Sequence, residues 1–210
     1  MTNKKKLSIL TFSKQEKQDL LISWVTISVA FAIVMGMFSN GSFDLITLFV
    51  ALVAVGTGFV FHELAHREAA KSFGFHSEYR AWYPFLGISI LLAIFTGFVF
   101  AAPGATYFIG ENVSRKQNGI ISIAGPLTNI ALGFIFLGLL LFLGKEALLD
   151  NVLRGILVAV AQVNFFFAFF NMLPILMLDG SKVLAWDAKY WFITIAVAGI
   201  MTFFVTPILY

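Results

Sequence analysis

The chain has 210 residues, enough for one domain, and its composition excludes a soluble globular protein: 60% of the residues are hydrophobic and 12% charged, against roughly half and a quarter in soluble domains. The net charge is +3, but Lys and Arg flank apolar runs and form no continuous stripe, which excludes nucleic acid as a partner. With no cysteine, thiolate ligands and disulfides are excluded too.

In chain order, residues 1–19 are polar and basic, with Lys4, Lys5 and Lys6 near the start and Ser13 placed to cap a helix. Residues 20–38 form an apolar run long enough to cross a bilayer core of about 30 Å. No small-residue cleavage site follows, so the run reads as an uncleaved anchor. A tight turn at 39–42 leads to a second run over 45–61, which continues as a helix to Phe73 and stops at Gly74. Residues 76–82 read as a loop. Residues 84–102 are apolar but interrupted by Pro84, Gly87 and Gly97, and 106–109 is β-prone. Further spans are expected over 120–143, 155–172 and 190–210, with polar connections at 145–154 and 181–189. The expected organisation is a cytoplasmic basic N-terminus over 1–19 and a single polytopic domain over 20–210, with its core at 44–180.

At the end of the second run stands His62-Glu63-Leu64-Ala65-His66. Helix positions four apart lie one above the other on the same face, so both imidazoles can reach one metal ion. Glu63 then lies where it can take a proton from a bound water. Ionisable residues inside an apolar segment point to a functional site. Later, Asn171-Met172-Leu173-Pro174 breaks the helix and leads to Asp179-Gly180. The break, with Gly180 permitting unusual backbone, allows Asp179 to aim its carboxylate inward. Two imidazoles and one carboxylate leave a fourth position on zinc for water, the arrangement of a catalytic site.

These motifs, with Ala124-Gly125-Pro126-Leu127-Thr128-Asn129 and with Asn164 ahead of Phe170-Asn171, resemble those of the site-2 protease family of intramembrane zinc metalloproteases, in its compact prokaryotic or archaeal form. The resemblance implies one Zn2+ per chain on His62, His66 and Asp179, with Glu63 as general base and acid. It implies that Asn171, and also Asn129, touches the substrate backbone or the oxyanion. It further implies a transmembrane protein as substrate. An inactive metal-binding scaffold and a metal transporter are the alternatives. Intact Glu63 argues against the first, and spans with few acidic or histidine residues argue against the second. Asn129 and Asn164 also have a plainer reading, as amides bonding neighbouring helices.

The three ligands must meet at one depth, so an odd number of full crossings must separate the two apolar segments that carry them. That requirement makes 84–102 turn back rather than cross. Charge agrees: with the N-terminus inside and this stretch re-entrant, 12 Lys and Arg residues fall inside and 2 outside, against 10 and 4 with a sixth crossing. The expected fold is therefore an all-α integral membrane protein with about five full transmembrane helices plus a re-entrant, partly β-like hairpin, the alternative being six transmembrane helices. It is expected in the cell membrane as a multi-pass protein, its N-terminus cytoplasmic and its site toward the cytoplasmic side.

Overall fold

The computed structural model describes residues 12–38, 44–100, 104–110, 112–145, 151–175 and 177–205. Lys4, Lys5 and Lys6, the turn at 39–42, Ala102, Pro103, Asp150 and Leu176 lie outside these residues. Five of the described helices are long and apolar enough to cross a membrane, and the chain is a multi-pass membrane protein.

Helix α1 (Lys14–Phe38) begins ahead of the expected residue 20. Ser13 starts it, its Oγ accepting the Glu16 N–H at 3.1 Å. Helix α2 (Leu45–Val55) is capped by Asp44, which accepts the Thr47 N–H at 2.7 Å. That backbone bond, with the rest of the cap, holds the Asp44 carboxyl below the usual carboxylate range. A π-helical stretch, Gly56–Val60, joins α2 to α3 (Phe61–Ser72), and the three pieces form one span. Helix α3 ends where Gly74 turns to a φ of +84°. There the Gly74 N–H donates to the Lys71 carbonyl at 2.8 Å and the Phe75 N–H to the Ala70 carbonyl at 3.1 Å, which satisfies two terminal carbonyls.

Residues 76–82, expected as a loop, contain strand β1 (His76–Ala81). It pairs antiparallel with β2 (Gly104–Ile109), from His76 opposite Ile109 to Ala81 opposite Gly104. Between them, α4 (Tyr83–Thr96) covers only part of the 84–102 run. Its 14 residues reach about 21 Å at 1.5 Å per residue, short of the roughly 30 Å hydrocarbon core. The register also brings the chain back at Gly104 beside the point where it left at Ala81. The stretch is a hairpin and not a sixth span.

Helix α5 (Arg115–Lys145) and α6 (Asn151–Asn171) are full-length spans. The polar stretch after Asp179 is helical, forming α7 (Asp179–Trp186). Helix α8 (Ala188–Ile200) continues as a π-helical turn over Met201–Val205. The main core, including Ile27, Val55, Phe59, Tyr79, Val160 and Phe167, lies where α1, α2, α6 and the sheet meet.

Polar contacts fasten α1 to the rest. Arg67 Nε donates to Glu16 Oε1 at 3.0 Å, with both side chains almost fully buried. The same Glu16 oxygen accepts the Tyr79 N–H at 3.2 Å. The Tyr79 hydroxyl donates to Ser23 Oγ at 2.9 Å, and burial pushes that hydroxyl well above the usual phenol range. The Tyr83 hydroxyl donates to Asp19 Oδ1 at 2.6 Å.

Candidate metal centre

His62 and His66 lie one turn apart on α3, and Asp179 is the first residue of α7. The three are buried and bring ligand atoms together. Asp179 Oδ2 lies 3.3 Å from His62 Nε2 and 3.0 Å from His66 Nε2, and the two Nε2 atoms are 3.0 Å apart. Zinc bonds of about 2.0–2.1 Å in tetrahedral geometry separate ligand atoms by about 3.3 Å, so the donor spacing fits a single ion.

The tautomers support the same conclusion. His66 Nδ1 is 2.7 Å from the Ile121 carbonyl, which can only accept, so Nδ1 carries the hydrogen. His62 Nδ1 is 2.6 Å from Asn129 Oδ1. The orientation of that amide is set by its nitrogen, which donates to the Gly58 carbonyl at 2.8 Å and to Asn164 Oδ1 at 3.0 Å. In the neutral rings both Nε2 atoms are then left as lone pairs, facing each other and a carboxylate oxygen in a buried space. Three donors of that kind repel unless a cation sits among them. A His, His and carboxylate set suits zinc, with the imidazole hydrogens anchored to Asn129 Oδ1 and the Ile121 carbonyl.

Asn129, expected to touch substrate or oxyanion, lies elsewhere: it is fully buried, and its carboxamide is occupied by His62, Gly58 and Asn164. It is a positioning residue for His62. Asn164 continues the chain of bonds, donating to Thr57 Oγ1 at 3.2 Å and to the Val160 carbonyl at 2.9 Å. The plainer reading of these amides, as links between neighbouring helices, thus describes their contacts, and one link ends on a ligand. Asn171 lines the cavity beside the triad, its Nδ2 donating to the Phe167 carbonyl at 3.0 Å.

Two glycines owe their identity to close approach. A Cβ on Gly125 of α5 would meet both imidazoles. A Cβ on Gly180 would collide with the Met172 carbonyl, and Gly180 has ordinary helical backbone within α7. The expected reason for Gly180, freedom of backbone, is therefore replaced by lack of space.

Glu63, also buried, borders a cavity of about 210 Å³ together with His62, His66 and Asp179. That volume holds several waters. Thr106 on β2 donates its hydroxyl hydrogen to Glu63 Oε2 at 2.8 Å, with the Glu63 carbonyl at 3.3 Å. Sequence reasoning missed Thr106, and the available signal was a hydroxyl within an otherwise apolar, β-prone run. Lys182, one turn into α7, stands 3.5 Å from Asp179 Oδ1. The arrangement offers a cation site, a carboxylate beside it and room for water.

No family model matches the chain, and neither does any solved structure. The chain is 42% identical over 185 residues, which is 88% of its length and 91% of the relative's, to a protein of Methanocaldococcus jannaschii named "Putative zinc metalloprotease".

Proposed function

The chain belongs to the zinc metalloprotease family of this archaeal relative, and on that premise we propose that it is an intramembrane endopeptidase of the site-2 protease type. Its substrates are transmembrane proteins, cut within or near their membrane segments. The observation that carries this reading is the convergence of His62, His66 and Asp179 beside Glu63, in a cavity with room for several waters within a membrane-spanning bundle. An inert scaffold or a transporter has no use for a carboxylate set beside the cation site and bonded in place by Thr106.

His62, His66 and Asp179 hold the zinc, and the chemistry zinc supplies when bound is Lewis acidity toward the scissile carbonyl and an attacking water. Glu63 accepts the water proton on its carboxylate and hands it to the leaving amine. Thr106 fixes the direction in which that carboxylate faces. A transmembrane helix hides its peptide bonds in its own hydrogen bonds, so the substrate must unwind before it is cut. Strand β2 offers a place for the unwound segment. Only β1 pairs with it among the described residues, and Gly104 to Phe108 line the cavity. An extended chain can add there as a further strand, and Asn171 is placed to meet its backbone. The charge distribution favours a cytoplasmic N-terminus and a site toward the cytoplasmic side of the cell membrane.

The test is cleavage of a single-span protein by the purified chain reconstituted in lipid. Cleavage should stop with a zinc chelator, return with zinc, and fall by about 10²-fold or more in Glu63→Gln. Cleavage that survives both treatments overturns the reading.

A further inference from the structure

The cavity beside Glu63 has two flanks of different chemistry. On one, the β1–α4–β2 hairpin is held to α1 by Glu16, Asp19 and Ser23, which bond Tyr79 and Tyr83 over 2.6–3.2 Å. On the other, the hairpin meets the end of α6 through apolar contacts. Phe98 and Phe100 stand against Phe170 with centroids 6.3 and 5.5 Å apart. Among the described residues, no hydrogen bond or ion pair joins residues 82–110 to residues 170–180.

In a bilayer these flanks do not part equally easily. Apolar side chains gain from one another little that acyl chains do not also provide, so ring contacts can be exchanged for another apolar segment. Breaking the bonds of the other flank strands the polar groups of Glu16, Asp19, Ser23 and Tyr79, all of them buried, a penalty that ring contacts do not carry. The rim of the apolar flank is exposed on both sides, with Trp82 and Phe98 on the hairpin and Ile175 and Met177 after α6. Trp82, Ile175 and Met177 also line the cavity that holds Glu63 and Asp179, so this surface is continuous with the reacting groups. A second apolar groove, about 540 Å³ between α1 and α2, is lined by Leu21, Leu52 and Phe61 but by none of the site residues.

We propose that the face rimmed by Trp82, Phe98, Ile175 and Met177 is where the substrate's transmembrane segment docks, reaching Glu63 while α1 stays fastened. The inference rests on the protease reading of the site. A photoreactive phenylalanine analogue placed singly at Phe98, Met177, Leu21 or Phe192 in the Glu63→Gln chain tests it. Each variant is illuminated in lipid nanodiscs with a single-span peptide whose apolar segment is about 20 residues long. Adducts are expected from positions 98 and 177, with loss of signal at Leu21 in the α1–α2 groove and at Phe192 on α8. Absence of adducts from both 98 and 177 overturns the proposal, whatever the other positions give. The unsubstituted chain is offered the same peptide in parallel. Adducts at 98 and 177 with no cleavage by that chain would leave the docking surface standing and remove the protease reading.

Discussion

Asn129→Ala separates a residue that holds a ligand from one that touches substrate. The substitution removes the 2.6 Å bond to His62 Nδ1, leaving that imidazole free to rotate and to exchange tautomers. Loss of a hydrogen-bond partner that orients a ligating imidazole costs about 10–100-fold in metal affinity, or roughly 1.4–2.8 kcal/mol at 1.4 kcal/mol per decade. The same change strips the Gly58 carbonyl and Asn164 Oδ1 of a buried donor. Each stranded acceptor costs about 1–3 kcal/mol of stability. The assay is titration of the purified protein with zinc against a chromogenic chelator, alongside kcat and KM for a single-span substrate. The expected result is weaker zinc binding and a lower kcat at saturating substrate. Asn129→Asp keeps an acceptor for His62 and should hold zinc better than Asn129→Ala while being less stable than the parent. A raised KM with zinc affinity unchanged in a folded Asn129→Ala protein would refute the argument and restore Asn129 as a substrate contact.

Other outcomes follow from the same geometry. Glu63→Gln should lower cleavage by about 10²–10⁴-fold, the usual worth of a general acid–base group, with one zinc still bound by elemental analysis; loss of the metal would mean that Glu63 is structural. Thr106→Val, which keeps the shape and removes the donor, should reduce kcat by about tenfold, as befits a hydrogen bond to a charged group, and Thr106→Ser should recover most of it. Equal activity in both variants would leave the 2.8 Å contact without a catalytic role. Arg67→Met leaves the buried Glu16 carboxylate unpaired and should destabilise the protein by about 3–5 kcal/mol, read as a lower unfolding temperature in detergent; a stability matching the parent would show that the ion pair does not fasten α1.

The parts of this site that could be read in the sequence are those set by local spacing. His62 and His66 share a face because four residues make about one helical turn, and Pro174 announces the break that precedes Asp179. Parity of crossings then requires the 84–102 stretch to turn back, and α4 does end at Gly97, where φ is +66°. What could not be read depends on distant partners. Strand β1, His-Ser-Glu-Tyr-Arg-Ala, has no apolar run, and only its pairing with β2 makes it a strand, as expected where context outweighs propensity. Asn129 and Thr106 each carry a polar group that could have faced several ways. Their roles depend on which helix or strand comes to lie opposite, and residue type alone does not supply that.

The π-helical stretch Gly56–Val60 has a consequence for the phase of the whole second span. Such a stretch carries about one residue more than the α-helix it interrupts, and each residue turns the helix by about 100° at 3.6 residues per turn. The apolar face of α2 and the ligand face of α3 are therefore offset in azimuth, and Asn129 and Asn164, bonded to Gly58 and Thr57, brace the place where the offset is made. Deleting one residue there would yield a more regular helix in which the packing face of α2 and the ligand face of α3 no longer fit their partners at the same time. The irregular stretch lets one span present its packing face and its ligand face in different directions.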